Sequence, residues 1–301
     1  MLLITFATCS CDAANEEQKE HSLSIFVLGN SYSIDSFSYV PAMLENILPH
    51  LDIHITLLYK SGCSVTEHYS NAKNSSYAYR EFSYDSGKGW KRVQNSQNIL
   101  SSLSSHEWDY IVTSTYSSRP YTFADIYDSV VGIYDFLESH THDDTIIVWM
   151  QTPTVSDYDS RKGDVTSDDF FISESNACKD IQQFSPFKHI IPVGTAIQNA
   201  RHTYLKSLGD CGDLTYDGLH IQNGLPRMIE SYVICEFLLR SLALGVSIDQ
   251  CSWVATQKNI KNLFLPWNGD KGESCGITDS NVSLAKKIAK ESIVFPFTLN
   301  E

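Results

Sequence analysis

One unbroken apolar run that ends at a glycine constrains the fold of this chain more than any other sequence feature. Residues 23–29 read LSIFVLG and are followed directly by Asn30 and Ser31. A strand that is apolar on both faces is typical of a parallel sheet covered by helices on both sides. Residues 37–48 then place apolar side chains at helical spacing. The sequence therefore predicts that the domain begins with a strand, a sharp turn and a helix.

The same alternation of strands and helices continues along the chain. Further strands are predicted at residues 53–59, 110–113, 145–150 and 189–193, and further helices at 93–103, 122–137, 225–244 and 279–292, the last with Asp279 or Ser280 near its N-cap. Two segments interrupt the pattern, an aromatic-rich hairpin or flap at 77–92 and a polar surface loop at 154–175. This order predicts an α/β fold, a three-layer α/β/α sandwich with a mostly parallel sheet.

Size and charge restrict the class of protein. The chain has 301 residues with 42% hydrophobic and 19% charged residues, which suits one sizeable core, and we assign residues 23–301 to a single domain. The formal net charge of −14 argues against nucleic acid as a partner, because such partners select surfaces rich in Lys and Arg.

The first residues predict export. Residues 1–8 are apolar but too short to cross a membrane, and they lead through small residues to Cys9 and Cys11. This pattern resembles the cleavage box of bacterial lipoproteins, although no Lys or Arg precedes the apolar run. We expect residues 1–22 to be an export signal and a polar tether, with Cys9 or Cys11 as the lipidation site. The protein would then be a periplasmic, outer-membrane or cell-surface lipoprotein, attached to the membrane only through that lipid.

The six other cysteines do not form CxxC pairs, so a structural zinc site is not expected. In an oxidising compartment some of them would pair, and the last four are the best candidates: Cys211, Cys235, Cys251 and Cys275.

Ser31 is the first candidate for chemistry. It follows the first strand, at the end of a parallel sheet where ligands bind, and precedes a helix. Backbone N–H groups at such a position favour developing negative charge, and Gly29 permits the sharp turn. From this segment alone, a nucleophilic serine and a serine that only caps the helix are equally good interpretations.

Asp217 and His220 are the second candidate. A serine hydroxyl needs an adjacent base, and a histidine serves when an acid fixes its tautomer. An aspartate and a histidine three residues apart on one loop are able to project together towards the sheet edge. The alternative is a surface pair in a turn, which this spacing alone does not exclude.

The order of these residues, together with several longer segments, resembles a known family. The segments are FVLGNSYSIDSFSYVPAMLENIL, the turn Ser61-Gly62-Cys63-Ser64, WDYIV, IIPVGTAIQNAR, LTYDGLHIQNGLPRM and ITDSNVSLAKKIAKESI. They are similar to the SGNH (GDSL-like) serine hydrolases, and within them to an uncharacterised bacterial SGNH-type domain family. The resemblance runs from about residue 23 to residue 293.

The resemblance implies a role for each matching residue. Ser31 would be the nucleophile, His220 the general base and acid, and Asp217 its orienter. The N–H groups of Ser31 and Gly62 would donate to the oxyanion. The family's Gly-Asp-Ser is Gly-Asn-Ser here, and its asparagine after the third core strand is missing. In the family that asparagine side chain is the third oxyanion donor, so a hydroxyl of Ser114 or Thr115 would have to replace it here.

The implied function is an esterase that needs no metal or cofactor and acts on an acylated, often acetylated, carbohydrate or a small ester. Two alternatives remain open. The missing amide favours a catalytically inactive glycan-binding lipoprotein, whereas the intact triad opposes it. A lipid or thioester acyl hydrolase would need an apolar groove that the sequence does not reveal.

Three further features have competing interpretations. Residues 140–144 (HTHDD) suit a metal cluster, but a solvated turn is favoured. Five aromatic residues suit a sugar-stacking platform, but packing within a hairpin is favoured: Tyr77, Tyr79, Phe82, Tyr84 and Trp90. Arg227 would reach an anionic substrate group or, more simply, lie on the surface of the first helical turn.

Overall fold

The computed structural model describes residues 21–262 and 272–299. Its strands form one sheet of seven in the order β4-β3-β2-β1-β5-β6-β7. Their bounds are β1 His21–Gly29, β2 Leu51–Tyr59, β3 Tyr79–Asp85, β4 Gly89–Gln97, β5 Tyr110–Thr113, β6 Ile146–Met150 and β7 His189–Ile191. The pairs β1–β2, β1–β5, β5–β6 and β6–β7 are parallel, whereas β3 and β4 are antiparallel to their neighbours.

Helices cover both faces of this sheet. Their bounds are α1 Ser31–Phe37, α2 Val40–Ile47, α3 Val65–Lys73, α4 Ile99–Leu103, α5 Phe123–Glu138, α6 Ser167–Phe184, α7 Val193–Arg201, α8 Leu225–Ser241, α9 Gln257–Asn262 and α10 Asp279–Val294. Alternate residues of β1 enter different cores, because Ile25 and Val27 pack with α8 while Phe26 and Leu28 pack with α5. The predicted three-layer α/β/α sandwich with a mostly parallel sheet is confirmed.

The predicted hairpin is a real one, but it extends the central sheet instead of forming a flap. β3 pairs with β2, and β4 pairs with β3 as the edge strand. The helix predicted at 93–103 is therefore wrong in its first half, where the chain is still in β4. The residues of β4 after Trp90 are mostly exposed, so the apolar spacing that starts at Val93 does not mark a buried helical face.

Other boundaries also differ from the predictions. The helix predicted at 37–48 corresponds to α2, and a separate short helix, α1, precedes it and begins at Ser31. The predicted loop at 154–175 contains the start of α6, which Thr166 caps with its side chain. The strand predicted to end at 193 stops at Ile191, and α7 follows it. The N-cap of α10 is Thr278 instead of Asp279 or Ser280.

All six cysteines in the described part of the chain are free thiols, so the expected pairing is wrong for them. The sulfurs of Cys235 and Cys251 face separate carbonyl oxygens, those of Val40 and Trp253. Cys9, Cys11 and nearly all of the predicted signal segment lie outside the described residues. Within the described ranges, no helix combines the length and the apolar character needed to cross a bilayer.

Candidate active site

Hydrogen bonds join the loops that follow β1, β2 and β5 at their carboxyl ends. The carbonyl oxygen of Cys63 accepts from the side-chain amide of Asn30 at 3.1 Å and from the backbone N–H of Tyr116 at 3.2 Å. The hydroxyl of Thr115 accepts from the N–H of Val65 at 3.0 Å. β1 pairs with β2 on one side and β5 on the other, and the chain order reverses here, so this edge is where α/β sheets bind ligands.

Asn30, not Ser31, caps the first helix. The Oδ1 of Asn30 accepts from the N–H of Tyr32 at 3.0 Å, and its capping box also includes Ser33. The interpretation of Ser31 as a helix cap is therefore wrong. Ser31 is the first residue of α1, is 6% exposed, and its hydroxyl makes no hydrogen bond to another described residue. The hydroxyl is thus left available for chemistry.

Gly29 is required for this turn. A Cβ at position 29 would overlap the side chain of Ser33, which closes the capping box of Asn30. No other residue type fits there without moving the start of α1. The glycine that the sequence places before Ser31 therefore serves close packing of the turn.

Asp217 and His220 form one hydrogen-bonded turn. Asp217 Oδ2 lies 2.7 Å from His220 Nδ1, and Asp217 Oδ1 accepts from the N–H groups of Leu219 and His220 at 3.0 and 2.7 Å. Gly218 between them has a φ of +82°, which favours glycine. Partial burial raises the pKa of Asp217, but the hydrogen bonds from His220 and the backbone outweigh it and bring the pKa below its ordinary value. Asp217 is therefore a carboxylate that holds the imidazole by one nitrogen.

The imidazole of His220 lies beside the residue that follows Ser31. Its ring centroid is 6.5 Å from that of Tyr32 and 5.7 Å from that of Tyr216, on which it stacks at 17°. The His220 side chain is 18% exposed, and its Nε2 makes no hydrogen bond to the described part of the chain. Ser31 and His220 thus lie at one edge of the sheet, with Nε2 unoccupied.

The candidate oxyanion donors differ in their surroundings. Gly62 has a φ of +59° and precedes Cys63, whose carbonyl binds Asn30, so Gly62 lies in the loop that is joined to the start of α1. The hydroxyl of Thr115 accepts from the N–H of Val65 and donates to the carbonyl oxygen of Tyr116 at 3.4 Å. The hydroxyl of Ser114 is fully buried without a partner among the described residues. Neither hydroxyl is an accessible donor, so the backbone N–H groups of Ser31 and Gly62 are the better candidates.

A small apolar cluster packs around Tyr32. It consists of Tyr32, Val155, Phe170 and Leu219, with Tyr116 against its side. The Tyr32 ring is completely buried, and its hydroxyl has no hydrogen-bond partner in the residues that the structure describes. No sequence pattern predicts this cluster, because its four members come from separate loops and helices.

A buried glutamate lies behind the loop that follows β5. Glu174 accepts from the hydroxyl of Thr152 at 3.0 Å and from that of Tyr121 at 3.4 Å. The Thr152 hydroxyl also lies 3.3 Å from the carbonyl oxygen of Thr115. Burial raises the pKa of Glu174 to about 8, because the hydrogen bonds from Thr152 and Tyr121, which lower the pKa, offset only part of the effect of burial. Glu174 is therefore largely protonated at neutral pH.

Arg227 was expected on the surface or at an anionic substrate, and both expectations are wrong. Its side chain is 1% exposed and forms an ion pair with Asp35, 2.8 Å between Nη2 and Oδ1. Asp35 was not among the predicted site residues. The signal that would have found it is its position four residues, about one helical turn, after Ser31.

Two other sequence features are structural. Residues 140–144 form the turn between α5 and β6, where His140 Nδ1 lies 2.7 Å from the carbonyl oxygen of Phe136, and the described residues hold no metal-binding group of three or more ligands. Four of the five aromatic residues are buried in the sheet and hairpin, and only Tyr77 is exposed, which confirms packing as their role.

Comparison with known proteins identifies a family and a fold. The family described as a domain of unknown function (DUF4886) matches residues 24–257, a range that contains Ser31, Asp217 and His220. The crystal structure of a DUF4886 family protein from Bacteroides uniformis covers 93% of this chain and 98% of its own, with 21% identity and a TM-score of 0.70. At that identity the likeness shows a shared fold.

Two more distant structures have lower scores. A protein described as a candidate SGNH hydrolase, from Slackia heliotrinireducens, has 17% identity and a TM-score of 0.48, covering 72% of this chain and 100% of its own. A mutant of Axe2, an acetyl-xylooligosaccharide esterase from Geobacillus stearothermophilus, has 13% identity and a TM-score of 0.44, covering 76% and 98%. No curated protein matches the sequence.

Proposed function

The chain belongs to the DUF4886 family, and we propose that it is a serine esterase with Ser31 as nucleophile, His220 as general base and acid, and Asp217 as the group that orients His220. The pairing of Asp217 with His220 Nδ1, beside the residue that follows Ser31, is the observation that carries this proposal. A bonded Nδ1 leaves Nε2 as the only nitrogen able to accept a proton from a serine.

The reaction follows from these positions. Ser31 Oγ attacks the ester carbonyl carbon while its proton passes to His220 Nε2. The tetrahedral intermediate collapses, the alcohol leaves with the proton from Nε2, and the acyl group stays on Ser31. A water molecule then gives a proton to Nε2 and attacks the acyl carbon, after which the acid is released and Ser31 regains its hydrogen.

Stabilisation of the oxyanion is the weaker part of the site. The N–H groups of Ser31 and Gly62 are the donors that we propose, and the hydroxyls of Ser114 and Thr115 contribute none. Loss of one donor typically costs about 10²–10³ in rate. We therefore expect turnover to be slow for an enzyme with this triad.

For the substrate we propose a short acyl ester, with an O-acetyl group on a carbohydrate as the first choice. The side chains around Tyr32 pack on one another and bury its ring completely, which favours a small acyl group over a long chain. The same packing argues against a lipid or long-chain thioester hydrolase. We also propose that the protein is exported and anchored through a lipid on Cys9 or Cys11, which would bring the enzyme to extracellular glycans.

A catalytically inactive glycan-binding protein is the second candidate. The observation in its favour is that the Ser114 hydroxyl is buried and the Thr115 hydroxyl donates to the Tyr116 carbonyl, so that neither hydroxyl serves as the third oxyanion donor. A binding protein, however, has no need for an imidazole oriented through Nδ1 and a serine hydroxyl without a partner among the described residues at the same edge of the sheet.

A fluorophosphonate probe and a panel of nitrophenyl esters and acetylated oligosaccharides test the proposal. We expect wild-type protein to be labelled and to hydrolyse acetyl esters, and Ser31→Ala to do neither. Ser207→Ala is the matched control and should behave as wild type, because Ser207 is exposed and its hydroxyl donates to the Tyr204 carbonyl at 3.1 Å. Equal labelling of Ser31→Ala would show that the nucleophile is wrong, and no labelling of wild type would favour the binding protein.

A further inference from the structure

A buried ion pair connects the helix of Ser31 to the loop of His220. Asp35 belongs to α1 and is 0% exposed, whereas Arg227 belongs to α8 and is 1% exposed. Arg227 Nη2 donates to Asp35 Oδ1 at 2.8 Å and to the carbonyl oxygen of Ile221 at 3.0 Å. The N–H of Ile221 donates to Asp35 Oδ2 at 3.3 Å. Both backbone polar groups of Ile221 are therefore held by the two charged side chains.

The position of this pair relates it directly to the two reacting groups. Ile221 is the residue after His220, and Asp35 lies one helical turn after Ser31. The link from serine to histidine therefore consists of one turn of α1, three hydrogen bonds and one peptide unit. A shift of α1 against the loop would break at least one of these hydrogen bonds.

Neighbouring contacts strengthen the connection between α1 and α8. The hydroxyl of Ser36 donates to Glu230 Oε1 at 3.2 Å, and the hydroxyl of Ser231 donates to the carbonyl oxygen of Ser36 at 2.9 Å. Burial raises the pKa of Glu230 well above its ordinary value, and the charge of Asp35 acts in the same direction. Arg227 pairs with Asp35 at 2.8 Å, while Glu230 is held through the hydroxyl of Ser36.

A buried ion pair is a poor means of adding stability. The free energy needed to desolvate the two charges often exceeds the free energy of their attraction. Proteins in which apolar residues of similar volume replace such a pair are often equally stable or more stable. A pair that is fully buried and that also binds both backbone polar groups of one residue is better explained by the geometry that it imposes.

Resting on the proposed esterase function, we propose that Asp35 and Arg227 are positioning residues that fix the imidazole of His220 relative to the hydroxyl of Ser31. They touch neither the substrate nor the reacting atoms. Their effect is to keep the serine and the histidine, which come from distant parts of the chain, in the arrangement that proton transfer needs.

The double variant Asp35→Asn/Arg227→Met tests this role without leaving one buried charge unpaired. We expect kcat on a nitrophenyl acetate to fall about 10- to 100-fold, because small misplacements of reacting groups have effects of that size, with KM within about twofold of wild type. Fluorophosphonate labelling should slow by the same factor as kcat. Arg227→Lys, which retains the charge, should give an intermediate kcat.

The matched control is the ion pair of Glu236 and Arg240, which lies on the same helix and holds the N–H of Ile248 instead of the His220 loop. Glu236→Gln/Arg240→Met should lower the melting temperature and leave kcat unchanged. A folded Asp35→Asn/Arg227→Met or Arg227→Lys protein with wild-type kcat would overturn the positioning role while Ser31→Ala remains inactive. Activity in Ser31→Ala would instead overturn the esterase itself, so the two failures are distinguishable.

Discussion

Asp217 binds His220 with both of its carboxylate oxygens. Oδ1 accepts the backbone N–H of His220 and Oδ2 faces its Nδ1, each at 2.7 Å. A single aspartate thus fixes the backbone of the turn and the plane of the imidazole together. It also sets the tautomer, because an Nδ1 that donates to a carboxylate leaves Nε2 unprotonated.

Replacing Asp217 by asparagine should separate these two tasks. We expect Asp217→Asn to keep the turn, through its carbonyl oxygen, but to lower kcat about 10²- to 10⁴-fold, because the amide no longer favours the reactive tautomer. Steady-state kinetics on an acetyl ester measure the effect. Asp168→Asn is the control, since Asp168 pairs with His202 at 2.8 Å elsewhere on the surface, and it should leave kcat unchanged.

The pH dependence of stability gives a second test of Asp217. Its pKa is lower in the folded protein than in the unfolded chain, so its contribution is present at neutral pH and is lost as the pH falls below about 4. The difference in unfolding free energy between wild type and Asp217→Asn should therefore shrink in acid. A difference that grows on acidification would contradict the assignment of this carboxylate.

Asn30 stands where the SGNH resemblance leads one to expect aspartate, and its amide nitrogen has a partner. An aspartate would keep the capping oxygen but would face the Cys63 carbonyl with a negative charge. We expect Asn30→Asp to lower the free energy of unfolding by about 1–3 kcal/mol and to reduce kcat, because the Gly62 loop loses its attachment. Urea denaturation and kinetics measure the two effects.

Asn98 provides the matched control for that substitution. It caps α4 in the same way, accepting from Ser101 at 2.8 Å, and its side-chain nitrogen has no partner among the described residues. Asn98→Asp should be close to neutral in stability and activity. Equal behaviour of the two variants would show that the contact with Cys63 contributes nothing.

The hydroxyl of Tyr32 is buried without a partner among the described residues, so its removal should not lower the free energy of unfolding. We expect Tyr32→Phe to raise the free energy of unfolding by about 1 kcal/mol while kcat stays within about twofold. Tyr39→Phe is the comparison, because the Tyr39 hydroxyl donates to Asn223 and accepts from the N–H of Gly224, and its loss should destabilise. Loss of stability in Tyr32→Phe would mean that the hydroxyl has a role in the site.

Glu174 should make the protein less stable as the pH rises. Its pKa is about 8 when folded and about 4.5 ordinarily, so the unfolded chain releases this proton at lower pH than the folded protein does. The stability that goes with the protonated form is fully present below about pH 4.5 and is lost between there and about pH 8. Denaturant unfolding across this range should show a decline in wild type that is smaller in Glu174→Gln. Parallel curves for the two proteins would contradict a buried, protonated carboxyl.

The layers of the fold were predictable because each central strand is a short apolar run and each covering helix has an apolar face. The hairpin was harder, since β4 is an exposed edge strand whose polar residues resemble a helix surface. The start of α6 was missed because Thr166 and Asp169, which form its capping box, lie in a polar stretch that composition alone assigns to a loop.

The candidate site was predictable where residues adjacent in sequence act together and unpredictable where they do not. Asp217 and His220 are three residues apart, and Ser31 directly follows a strand, so local pattern pointed to them. Asp35 and Arg227 are separated by 192 positions, and only folding shows that they meet. The roles of the proposed triad remain a prediction for the variants described above.

The carbonyl of Cys63 joins segments from the first, second and fifth strands through its contacts with Asn30 and Tyr116. Attempts to change specificity by exchanging one of these segments with that of a relative will therefore disturb the other two. Chimeras should transfer the three as a set, and libraries should leave residues 30, 63 and 116 constant while varying their neighbours.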